Sequence, residues 1–91
     1  MKKQEKAVVT VVGKDAVGIL AKAATACAAA NANVIEVTQS VMDEYFTMIM
    51  LIDVTETTLR VEELQASIKD VLPTMEVHVM HENIFNAMHT I

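Results

Sequence analysis

The chain has no tryptophan, one tyrosine and two phenylalanines in 91 residues. An aromatic core is therefore excluded, and the interior must be aliphatic, with the seven methionines filling irregular gaps. One cysteine, Cys27, cannot make an internal disulfide, which suits a reducing cytosol. With one proline and two glycines, the chain shows no internal linker and no low-complexity segment. No apolar run approaches the roughly 20 residues that a membrane span requires. Ala7–Val12 is too short for the apolar part of a signal peptide, so a cytoplasmic location is expected. Basic residues are scarce as well: seven Lys and Arg face twelve Asp and Glu, for a net charge of −5. Their only cluster, Lys2, Lys3 and Lys6, lies in a basic tail over residues 1–6, which excludes the basic face a nucleic-acid binder needs.

What remains is one compact domain, small enough that pairing with a second copy would add useful stability. The β-branched run AVVTVV (7–12), stopped by Gly13, predicts a buried strand. From Val17 to Ala30 the chain is alanine-rich, with Leu20, Ala24 and Cys27 at helical spacing, Asp15 as N-cap and Asn31 as terminator. Residues 33–42 alternate, with Ile35, Val37 and Val41 on one face and Glu36, Thr38 and Ser40 on the other. Residues 45–54 alternate too, and Asp43 and Glu44 join the two runs as a hairpin. Val61, Leu64, Ile68 and Val71 mark an amphipathic helix capped by Thr57 or Thr58 and ended by Pro73. Residues 75–80 form a last strand with Met75, Val77 and Val79 inward, and the tail 81–91 ends in a short helix.

This order, βαββαβ, predicts an α+β ferredoxin-like sandwich. Its four-stranded antiparallel sheet has order 4-1-3-2, with two helices on one face. The back of the sheet would then show Ile49 and Leu51, an apolar surface suited to contact with a second chain.

The candidate site is GKDAVG (13–18). A P-loop places its lysine after the second glycine, whereas Lys14 follows the first, and a Rossmann fingerprint needs a third glycine and a parallel sheet. Both phosphate readings fail. Gly18 in the first helical turn leaves backbone amides open to a carboxylate or other anion, or else allows close packing of helix on sheet. His78 and His81 would point to opposite faces of a strand and so cannot share a metal, and His89 is remote in the tail. Cys27 reads as a small apolar filler. Neither Asp15 with Glu36 nor Asp43 with Glu44 has the positioned partner of an acid–base pair. No catalytic constellation, metal site or cofactor is expected.

The element order, together with G-K-D-x-x-G-I-L at 13–20 and N-x-N-V-I at 31–35, resembles the ACT domain, a regulatory module that binds amino acids and similar metabolites. The likeness runs from Ala7 to about Met80. The stretch 37–54 and the tail 82–91 are similar to short stand-alone ACT proteins of uncharacterised function, and more distantly to ACT-type glycine-cleavage regulators. The resemblance implies a regulatory function without catalysis and a homodimer paired edge to edge through the second strand. A small-molecule effector would sit at the seam, and a regulated protein partner is possible. By position it implies a ligand site of Gly13, Lys14, Asp15, Ala16, Val17 and Gly18 from one copy with Asn33 and Val34 from the other. Asp15 stands where amino-acid-binding members often have Asn, and Val17 where Pro is usual. A carboxylate at position 15 repels a ligand carboxylate unless it binds the ammonium or caps the helix. Face packing through Ile49 and Leu51 competes with the edge seam.

Overall fold

The computed structural model describes residues 4–14 and 16–88. Along the chain run β1 (Lys6–Lys14), α1 (Ile19–Ala29), β2 (Asn33–Met42), β3 (Tyr45–Asp53), α2 (Val61–Val71), β4 (Glu76–His81) and α3 (Glu82–Met88). The sheet is antiparallel with order β2-β3-β1-β4, which is the expected order read from its other edge.

The core lies between the helices and one face of this sheet. On β3, Phe46, Met48, Met50 and Ile52 are buried at every second position, and β1 answers with Ala7, Val9 and Val11. From above, α1 contributes Ile19, Ala23 and Cys27, while α2 contributes Leu64 and Ile68. Each large apolar side chain removed from water in this way is worth about 1.5–3 kcal/mol. Aromatic rings are dispensable here because flexible Met side chains fill the layer.

Four local expectations need correction. The α1 stripe is Ile19, Ala23 and Cys27, so Leu20 and Ala24 sit on its half-buried shoulder. The N-cap of α1 is Gly18, and Asp15, expected in that role, lies outside the described residues. The N-cap of α2 is Arg60, beyond both Thr57 and Thr58. The Arg60 backbone N–H donates to Glu63 Oε1 at 2.8 Å, which holds the Glu63 carboxyl below its usual range. Thr57 instead donates its hydroxyl to the Ala30 carbonyl at 2.5 Å, tying the end of α1 to the β3–α2 connection. Finally, Val71 is 40% exposed while Leu72 is buried, because helical spacing from Ile68 reaches the core again four residues on.

Asn31 performs as expected, taking φ 62 just past the end of α1. Its N–H reaches the Ala28 carbonyl and the Ala32 N–H reaches that of Cys27, which closes the helix in a Schellman motif.

The second strand differs more. Val34 pairs with Ile52 but Glu36 pairs with Leu51, so Ile35 is an extra residue in a β-bulge. The bulge switches parity: Val34 rather than Ile35 shares the core face with Val37 and Val41, while Glu36, Thr38 and Ser40 point to the back as expected. Ile35 is 44% exposed and Val41 56%, and only Val37 packs partly against the core.

Candidate functional site

Gly13, expected to stop the first strand, is paired within it opposite Phe46 and lies beneath the buried side chain of Met75, and β1 runs on to Lys14. A Cβ on Gly13 would come within 2.8 Å of Met75 Sδ, so this glycine exists for close approach. Lys14 follows opposite Tyr45, exposed. Ala16 and Val17 are exposed too, Val17 at 95%, which is extreme for a branched apolar side chain. Gly18 then takes φ 79, in the left-handed region, and a Cβ there would meet nothing within 4 Å. That removes the helix-on-sheet packing reading, and the left-handed backbone is what calls for a glycine here. Having no side chain, it supplies no cap to the first amides of α1.

Asn33 and Val34 stand elsewhere. Asn33 pairs with Asp53, and Asp53 with Lys6, at the end of the sheet where β1 begins. The loop 13–18 is at the opposite end, where Lys14, Tyr45 and Met42 lie in one row. Eight strand steps, from the row of Tyr45 to the row of Asp53, separate the two groups, about 26 Å at about 3.3 Å per residue. The fold therefore brings Gly13, Lys14, Ala16, Val17 and Gly18 together, brings Asn33 and Val34 together, and keeps the two groups apart within one chain.

Beside Asn33 is a cleft of about 100 Å³ lined by Asn31, Asn33, Asp53 and Glu56. Small-molecule sites are typically ~300–1,000 Å³, so this cleft alone is too small to hold a metabolite. Asp53 is engaged: Thr55 donates its hydroxyl at 2.6 Å and its N–H at 2.9 Å, and Gln4 donates at 3.0 Å. These bonds, that of the Thr55 hydroxyl first, hold the Asp53 carboxyl below the usual carboxylate range.

The two edges of the sheet are unequal. On β4, the Val79 N–H donates to Gln65 Oε1 at 2.8 Å. Lys69 Nζ donates to the Met75 carbonyl at 2.5 Å just before that strand. Side chains of α2 thus take up one backbone group of this edge and one just before it. Along β2, ten residues long, no side chain among the described residues bonds the outer backbone. Sequence reasoning missed Gln65 and Lys69. Both lie on the polar side of α2, and only the docked position of β4 beside them reveals their role.

The remaining candidates separate. Cys27 is buried, and burial pushes its thiol up to about 11, far from a nucleophile's range. His78 lies opposite Thr10 and His81 opposite Ala7, on opposite faces of β4. His78 Nε2 is 3.5 Å from Glu76 Oε2 on the exposed side. Asp43 takes φ 58 in the β2–β3 turn and, like Glu44, is exposed, as a solvated turn should be. Among the described residues no helix is long and apolar enough to cross a membrane. His89 and the basic residues Lys2 and Lys3 lie outside the described residues.

Comparison with known proteins matches residues 5–82 to the family model described as the ACT domain. A UPF0237 protein of Listeria monocytogenes is 42% identical over 86 residues, covering 92% of this chain and 97% of its own length. The solved ACT domain protein from Streptococcus pneumoniae superposes with a TM-score of 0.76 at 29% identity, over 96% of this chain and 100% of that one. A structure assigned provisionally as a glycine cleavage system transcriptional repressor shares the fold, with a TM-score of 0.62 at 20% identity. It matches 88% of this chain but only 47% of its own.

Proposed function

The chain belongs to the ACT domain family, and on that footing we propose that it is a non-catalytic cytoplasmic sensor. It binds a small metabolite, an amino acid in the first place, between two copies of itself and passes that state to a protein partner. The observation that carries this reading is the split site. Gly13–Gly18 and Asn33–Val34 lie at opposite ends of β2, and β2 has an open edge whereas the β4 edge is occupied by Gln65. Antiparallel pairing of β2 with a second β2 sets the loop of one copy at the same end of the joined sheet as Asn33 of the other, with β3 and β2 of the first copy between them. The first amides of α1, to which Gly18 gives no side-chain cap, and Lys14 then favour a ligand carboxylate. Asp15 complements the ammonium, and the Asn33 amide can donate and accept.

A thermal-shift screen of the free amino acids tests this. A ligand at a hundred times its Kd stabilises the folded state by about 2.7 kcal/mol, which moves the midpoint of a domain this size by roughly 15 °C. Asn33→Ala should abolish the shift without changing the unliganded midpoint. Silence across the whole set would sink the sensor reading. A second reading, an interaction module with no small-molecule ligand, draws on the exposed back of the sheet, where Val12, Ile49 and Tyr45 are open to solvent.

A further inference from the structure

The back of the sheet is unused by the seam. Helix α3 packs on β1 and β4, and Val8, which points to the back, is buried. Towards the β2–β3 turn the cover ends. Val12, Ile49, Tyr45 and Met42 are 42%, 39%, 54% and 76% exposed. Register pairs Tyr45 with Met42 and interleaves the others with polar residues: Val12 is opposite Thr47, and Ile49 is opposite both Thr10 and Thr38. Together they make an apolar strip, interrupted by threonines, across β1, β3 and the end of β2.

The rim of this strip is acidic. Glu36 and Glu76 point to the same face from β2 and β4, and Asp43 and Glu44 form the turn at its end. Against them stands Lys14, since the second lysine of this face, Lys6, is opposite Asp53 and lowers its pKa. The chain as a whole carries −5.

We infer that this strip docks a basic amphipathic helix belonging to the protein that receives the signal. The inference rests on the reading that the chain passes its state to a protein partner. A second copy is the poorer occupant, because two acidic rims would face each other across the interface. Three strands about 4.8 Å apart and six residues long make a strip roughly 14 Å wide and 20 Å long. A single helix about 10 Å across fits that strip. Its apolar stripe would cover Ile49 and Val12, and its Lys or Arg flanks would reach Glu36, Asp43 and Glu44.

The chain carries its own reporter, because Tyr45 is the only tyrosine and there is no tryptophan. The probe is a Leu/Lys peptide of about 18 residues, without aromatics, with Leu at helical i, i+3, i+4 spacing. Its control replaces every Lys by Glu. The Leu/Lys peptide should change the emission of Tyr45 saturably, and the Leu/Glu peptide should not. Ile49→Glu, and independently Val12→Glu, should raise the apparent Kd at least about tenfold, with circular dichroism unchanged. Three results overturn the inference: an unchanged Tyr45 emission, equal binding by both variants, or a fall in light-scattering mass on Ile49→Glu, which would mean that a second copy covers the face. Failure of the sensor reading looks different. Ile49→Glu leaves any amino-acid thermal shift intact, whereas a wild-type chain that docks the peptide but answers no amino acid loses the effector alone.

Discussion

Cys27 shows how one position can look chemical and be structural. It recurs with Ile19 and Ala23 on the buried stripe of α1, and burial raises its thiol to about 11. The folded chain therefore holds this proton more tightly than the unfolded one, whose thiol titrates near ~8.5. The stabilisation is complete below the unfolded value and is lost as pH climbs towards the folded one. Urea unfolding of wild type and Cys27→Ala should thus differ by a constant amount up to about pH 8.5. Above that the wild type should lose ground steadily, until pH reaches the folded value of about 11. A gap independent of pH throughout would show that the thiol is solvated. Gly18 is the converse case. Its sequence context allowed close packing of helix on sheet, and its φ of 79 with open space around the absent Cβ removes that role.

At the scale of elements, the two edge strands receive opposite treatment. An exposed edge invites pairing with another chain, and β4 avoids it because Gln65 of α2 accepts from the Val79 N–H. Gln65→Ala should leave that part-buried N–H without a partner and cost about 1 kcal/mol. The urea midpoint should fall with an unchanged slope, and the variant should gain a tendency to associate on standing. An unaltered midpoint would mean that water replaces the amide at no cost. The bulge at Ile35 belongs to this scale too. Alternation read from residues 33–42 put Ile35 inward, but pairing with β3 skips it, and Val34 takes the core face instead. No periodicity in one strand can announce a residue that its partner strand leaves unopposed.

For the whole molecule, the proposed effector site would take a second copy, because the loop glycines Gly13 and Gly18 lie at the opposite end of the sheet from Asn33 and Val34. Pairing two β2 strands about Thr38 sets Val41 against Val34 of the other copy on the core-side face. It sets Thr38 against Thr38 on the back, with no like charges opposed. The chain should then have twice its own mass in light scattering at tens of micromolar, and its melting midpoint should rise with protein concentration. Val41→Lys, at a position already 56% exposed, should halve the mass, remove the concentration dependence and abolish any amino-acid shift while the monomer stays folded. A wild-type midpoint indifferent to concentration would remove the seam and the site together.

The order of elements, the sheet order and most of the core were legible in the sequence alone. Each depends on local spacing: period two across Phe46, Met48, Met50 and Ile52, helical period across Leu64 and Ile68, and Asn31 in the left-handed turn that ends α1. The loop glycines were legible as candidates for the same reason, whereas Asn33 entered only through the resemblance to the ACT domain. What only the tertiary structure decided joins residues distant in sequence. Gln65 meets Val79, Thr57 holds Ala30, Gly13 shelters under Met75, and the bulge exists only between β2 and β3. Such contacts depend on where docked elements leave a backbone group or a gap, and one-dimensional patterning carries no record of that geometry. The distance between the two halves of the candidate site is of this kind. It follows from β2 running parallel to β1, one strand removed, so that the start of one lies at the far end from the finish of the other.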